Sequence, residues 1–104
     1  MMTHGQLLDI LRPVGILWAY HHWEQPPQPP YGVYLDTEDT AFYADNRTYF
    51  CSSGVQLELY TLQRDRALDN RVRTVLDAAD IPYEVQFAWI ESEGLYETIF
   101  EIEV

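Results

Sequence analysis

The sequence contains no lysine, and all six of its basic residues are arginines. They stand against 17 Asp and Glu residues, which leaves the 104-residue chain with a net charge of −11 at neutral pH. Nucleic-acid binding requires a footprint of Lys and Arg that neutralises phosphates, and attachment to anionic membranes requires basic clusters. The charge balance therefore argues against both kinds of partner.

Cysteine is almost absent, since Cys51 is the only one. No disulfide can form within the chain, and a cytosolic setting is the simplest interpretation. No apolar run approaches the roughly 20 residues of a membrane-spanning helix. The N-terminus also lacks the basic and then apolar pattern of a signal peptide. We expect a protein that is made and used inside a cell.

Residues that could carry chemistry are sparse. The five glycines are scattered, so no phosphate-binding loop is predicted. The only cluster of metal-ligand types is His21-His22-Trp23-Glu24, and neighbouring residues of a strand point to opposite faces, which disfavours a shared metal. Nothing in the sequence places a base beside Cys51, which we expect to be a small buried side chain. The sequence predicts no enzyme activity, no metal and no cofactor.

Apolar residues are plentiful, at 47 % of the chain with 14 % aromatic, which is too rich for a disordered protein. The length fits one domain over residues 1–104. Hydrophobic periodicity predicts helices over 3–11 and 65–79. Thr3 and Gln6 fit a capping box at the start of the first helix, and Pro13 is expected to end it. It predicts strands over 15–23, 31–36, 40–44, 47–51, 55–61, 83–90 and 95–104. We therefore expect an α+β fold in the order α-β-β-hairpin-β-α-β-β, with two helices packed on one face of a mostly antiparallel sheet.

Two segments stand out from this pattern. Residues 24–30 hold four prolines in seven positions, which predicts an extended polyproline-type loop, either a stiff connector or a docking segment. Residues 40–51 are predicted to form a hairpin with its turn at Asp45-Asn46, because both residues tolerate left-handed conformations. Its apolar residues are mostly aromatic: Phe42, Tyr43, Tyr49 and Phe50. This hairpin either folds onto its own core or protrudes to contact a neighbouring subunit.

Charge is segregated along the chain. Residues 1–61 carry seven acids and two arginines, residues 62–73 carry two acids and four arginines, and residues 74–104 carry eight acids and no base. The segregation is either ordinary solvated surface or a means of head-to-tail association between copies. In the second case the candidate contact residues are Arg64, Arg66, Arg71 and Arg73 on one copy, and Glu97 and Glu101 on the next.

Several short runs, taken in order and spacing, resemble a known family over about residues 26–104. They are PPYGVY (29–34), FYADN (42–46) with Tyr49, LYT (59–61), VLD (75–77) and WIESEGLYE (89–97). Together they look like a small virion protein of long-tailed bacteriophages and prophages of Gram-positive hosts, the tail terminator or tail completion protein. The second helix of that family is often rich in lysine, whereas this chain uses arginine alone.

The resemblance implies a ring of subunits, expected to be six-fold, at the head-proximal end of the tail tube. Its implied partners are copies of itself, the major tail protein and the connector or neck proteins of the head. Its implied location is the virion, after assembly in the host bacterial cytoplasm. Another small neck or connector protein is an alternative within this class. An acidic DNA mimic that inhibits a host nucleic-acid-binding protein is the alternative from a different class.

Overall fold

The computed structural model describes the backbone of residues 2–44 and 47–104 and the side chains of residues 2–37 and 54–104. The fold is α+β, with two helices and a mixed five-stranded sheet, so the predicted fold class is confirmed at that level. The helices are α1 (His4–Leu11), followed by a 3₁₀ turn (Arg12–Val14), and α2 (Arg66–Ala78). The strands are β1 (Leu17–Tyr20), β2 (Tyr31–Ala44), β3 (Arg47–Thr61), β4 (Tyr83–Ile90) and β5 (Leu95–Glu103). Neither helix has the length and apolar character needed to cross a bilayer within the described chain.

The sheet has the strand order β1-β2-β3-β5-β4. The pairing of β1 with β2 is parallel, and the other three pairings are antiparallel. The sheet is therefore mostly antiparallel, with β1 and β4 at its two edges.

Both helices contribute to one core on a single face of the sheet. On that face Leu57 lies opposite Tyr34 on one side and Phe100 on the other. The helices add apolar residues at helical spacing, which are buried against these strands. The helical members of the core are Leu7, Leu11, Leu68, Val72 and Leu76. Because both helices pack on this face, no helix of the described chain lies on the opposite face of the sheet.

The helix N-termini follow their sequence signals. The Gln6 backbone N–H donates to the Thr3 hydroxyl oxygen, and the Thr3 backbone N–H donates to the Gln6 side-chain oxygen, which is the predicted capping box. Asp65 caps α2 by accepting from the Leu68 backbone N–H at 3.0 Å. Pro13 does not stop the chain at once, since a 3₁₀ turn intervenes before Gly15 adopts a left-handed conformation (φ 84°).

The first strand is shorter than the predicted range 15–23. Gly15 and His21 both have positive φ, 84° and 68°, and a residue in that conformation cannot continue a strand. Only Leu17–Tyr20 remains extended. His21, His22 and Trp23 therefore belong to the loop that follows, and not to the strand.

The second and third strands are longer than predicted. The separate runs 31–36 and 40–44 lie within the single strand β2, and 47–51 and 55–61 lie within β3. The expected break at 52–54 is absent because these residues pair with β2, while the irregularity appears as a register shift between Asp36 and Glu38. The predicted turn at Asp45-Asn46 lies outside the described residues.

Candidate interaction surfaces

The described residues contain no group of three or more His, Cys, Asp or Glu side chains placed to hold a metal ion. The expectation that His21 and His22 point apart is wrong, because the left-handed conformation of His21 brings the two Nδ1 atoms within 3.1 Å of each other.

An open cavity of about 310 Å³ lies between Pro29-Pro30 and the segment 61–65. Its two charged residues are engaged elsewhere, since Asp65 caps α2 and Arg64 pairs with Asp69.

The loop after β1 covers part of the face of the sheet that carries no helix. The Trp23 indole N–H donates to the Gly32 carbonyl at 2.9 Å, and its ring meets Tyr31 edge-on with centroids 6.1 Å apart. Tyr31 also stacks on Tyr60 at 5.2 Å. The proline-rich part of this loop is not a straight extended segment, because the chain bends at 24–25 and 28–30.

The rest of that face, formed by β3, β5 and β4, is uncovered and is called the open face below. All of the described charged side chains on the open face are acidic. Glu84 and Glu101 occupy directly opposite positions on β4 and β5, and both are exposed. Like charges in that arrangement repel. The glutamates of the open face are Glu58, Glu84, Glu97, Glu101 and Glu103.

Two of these glutamates converge on one hydroxyl group. The Tyr60 oxygen lies 2.9 Å from a Glu58 oxygen and 2.7 Å from a Glu97 oxygen. Gln56 donates to the other Glu58 oxygen at 2.7 Å. Burial raises the pKa of Tyr60, and it also raises the pKa of Glu97, against the lowering effect of the bond from Tyr60. Glu97, a predicted contact residue, is thus half-buried and already bonded within its own chain.

The four arginines predicted as contact residues differ in their surroundings. Arg64 forms an ion pair with the buried Asp69 and lies over the Phe87 ring, 4.1 Å from its centroid. Arg73 is half-buried, 5.9 Å from the Tyr83 and Phe100 ring centroids. Arg66 and Arg71 are exposed on α2. Helix α2 therefore offers Arg66 and Arg71 to solvent, together with the exposed Asp77, on the side of the sheet away from the open face.

A cluster of aromatic side chains lies at one edge of the sheet. Phe87 and Trp89 of β4 are 47 % and 51 % exposed although they share a face with Tyr83 and Val85, which pack against the core. Tyr96 of β5 lies between them, with ring centroids 5.6 Å from Phe87 and 4.7 Å from Trp89. These three residues, called the aromatic patch below, extend the core face beyond the part that the helices cover.

The predicted hairpin aromatics Phe42, Tyr43, Tyr49 and Phe50 lie outside the described side chains, as does Cys51. The cluster around Tyr60 and the aromatic patch were not among the predicted sites. Period-2 alternation places Gln56, Glu58 and Tyr60 on one face, but it gives no sign of which β5 residue faces them. Alternation places Phe87 and Trp89 on the core face, but it does not show how much of that face the helices cover.

No protein-family model matches this chain, and no curated protein matches its sequence.

Proposed function

We propose that the chain is a virion structural protein, a tail terminator or tail completion protein that forms a ring at the head-proximal end of the tail tube and joins the tail to the head. One observation carries this proposal: the exposed arginines of α2 and the glutamates of the open face lie on opposite sides of the same molecule. Arg66 and Arg71 project from the helix layer, whereas Glu84, Glu101 and Glu103 project from the other side of the sheet.

Such an arrangement favours one symmetry over another. In a two-fold dimer each surface meets its own copy, which would set arginine against arginine or glutamate against glutamate. Contact between the two different surfaces is head-to-tail, and head-to-tail contacts repeat until they close into a ring or grow as a filament. In the proposed ring, Arg66 and Arg71 of one copy would contact glutamates of the next copy's open face.

The proposal includes a protruding hairpin over residues 40–51. Backbone pairing of β2 with β3 continues to Ala44 and Arg47, well past the core residue Val55. The molecule is long for its size, with principal extents of 50 × 29 × 22 Å. An aromatic hairpin at its end would suit contact with a neighbouring subunit or with the last ring of the major tail protein, since aromatic residues are enriched at interfaces.

The proposed partners are further copies of this chain, in a ring expected to be a hexamer, together with the major tail protein and the neck or connector proteins of the head. The proposed location is the virion, with assembly in the bacterial cytoplasm. Another neck or connector ring would use the same surfaces.

The second candidate, a DNA mimic, is favoured by the five glutamates of the open face, which has no described basic residue. The exposed Arg66 and Arg71 weigh against the mimic, because they would repel a nucleic-acid-binding protein.

Electron microscopy of the purified chain, alone and mixed with tail tubes, tests the proposal. We expect closed rings, or rings seated on one end of the tubes. A chain that stays monomeric at all concentrations, leaves tube ends bare and inhibits a DNA-binding enzyme would instead establish the mimic. Circular dichroism of each sample serves as the control, because an unfolded chain would also fail to form rings.

A further inference from the structure

Strand β4 is a long and regular free edge of the sheet. It has eight residues, pairs with β5 without a register shift, and contains no proline. Folded proteins usually protect sheet edges by keeping them short, by bulges, by proline or by charges that point inward. The other edge, β1, is short at four residues. Among the described residues nothing pairs with the outer side of β4, so its backbone is free to accept another strand.

The side chains along this edge specify what kind of strand would fit. On the core face, Phe87 and Trp89 are half exposed and would gain contact from apolar residues of an added strand. On the open face, Glu84 opposes Glu101 with no described basic residue nearby. A basic side chain beside Glu84 would relieve this repulsion. The edge therefore calls for alternating apolar and basic residues.

We propose that β4 binds an extended segment of a partner protein in which apolar and basic residues alternate. The segment adds a sixth strand through backbone hydrogen bonds, and its alternate side chains contact the aromatic patch and Glu84. A second copy of this chain does not supply these residues from its two outermost strands, β1 and β4. Neither Leu17–Tyr20 nor Tyr83–Ile90 contains an arginine, and each copy carries a net charge of −11. This inference does not depend on the proposed ring.

The test uses the full chain and a synthetic octapeptide of alternating valine and lysine. The first control peptide has the same composition, with its valines and lysines in two separate blocks. The second keeps the alternation but has glutamate in place of lysine. We expect only the alternating valine–lysine peptide to bind by calorimetry, with amide chemical-shift changes centred on residues 83–90. Binding of the block peptide with equal affinity would overturn the proposal, as would shifts confined to β3.

Variants separate the two contacts. Trp89→Ser should weaken binding about 30-fold, as expected for an aromatic residue at the centre of an interface. Glu84→Lys should weaken peptide binding about tenfold. This variant should keep its fold, because Glu84 is exposed. Asp77→Lys makes the same change of charge on α2 and should leave the affinity within about twofold. If Asp77→Lys weakened peptide binding as much as Glu84→Lys, the attraction would be a general charge effect and the proposal would be overturned. Self-association of the chain with protection of the β4 amides from hydrogen exchange would also overturn it.

Discussion

Gly32 lies beneath the indole ring of Trp18, its neighbour across the β1–β2 pairing. A Cβ atom at position 32 would come within 2.4 Å of the Trp18 ring. The Trp18 N–H is buried without a described partner, so packing, and not hydrogen bonding, holds the ring in place. Glycine is required at this position because no side chain fits between the strand and the ring.

Gly32→Ala should therefore lower the free energy of unfolding by about 1–3 kcal/mol, the usual cost of overpacking a well-packed position. Urea denaturation followed by tryptophan fluorescence measures it. Gly5→Ala is the matched control, since its Cβ would meet nothing closer than 3.9 Å and alanine favours a helix by about 0.5–1 kcal/mol. Equal stability of Gly32→Ala and wild type would mean that the Trp18 ring moves freely off the sheet.

Glu97 makes stability depend on pH. Burial raises the pKa of its carboxyl in the folded chain above the ordinary value of 4.5. A raised folded-state pKa favours folding fully below the ordinary value, and this contribution is lost as the pH rises through the folded-state pKa. Glu97→Gln cannot ionise, so the free energy of unfolding of this variant should rise relative to that of the wild type as the pH increases from 4.5 towards neutrality.

Urea denaturation across this pH range measures the difference between the two proteins. Glu103→Gln removes an exposed carboxylate from the same face and controls for general loss of negative charge. A Glu97→Gln difference that stays constant with pH, or that follows the Glu103→Gln difference, would contradict the assignment of the pH dependence to Glu97.

At the scale of whole elements, local sequence signals determined several features correctly. The Thr3-Gln6 capping box and the apolar stripe of α2 are encoded within one or two turns, and both are confirmed within one residue. Alternation over β4 and β5 gave their bounds closely. These elements could be predicted because each signal lies within a few residues of the position that it determines.

Other features depend on residues far apart in the sequence. The left-handed His21 ends β1 although the sequence around it is rich in strand-forming residues. Strand β3 continues through Ser52 and Gly54 because β2 pairs with it, and a partner strand overrides weak local propensity. The parallel β1–β2 pairing and the meeting of Tyr60 with Glu97 likewise follow from the order of the strands, which periodicity does not reveal.

At the scale of the whole molecule, the predicted contact residues divide into two groups. Arg64 and Glu97 have partners within their own chain, whereas Arg66, Arg71 and Glu101 are exposed. Residues already paired gain little from a neighbour, because the ion pair or hydrogen bond would have to be exchanged. The exposed residues should therefore carry most of the electrostatic attraction between copies.

Reversing the charges on one side tests this attraction. The double variant Arg66→Glu and Arg71→Glu should lose self-association, because it places acids against the acidic open face of the next copy. Glu101→Arg with Glu103→Arg should have the same effect from the other side. Sedimentation velocity at low and high salt measures both, and wild-type association should weaken as salt rises.

Combining all four substitutions in one chain provides the decisive comparison. Because each interface in a head-to-tail assembly then has its charges exchanged, the quadruple variant should recover association that both double variants lack. Glu91→Lys with Glu93→Lys makes a charge reversal of the same size in the exposed β4–β5 turn, outside both surfaces, and serves as the control. Failure of the quadruple variant to recover, with its fold intact by circular dichroism, would mean that copies meet through other surfaces.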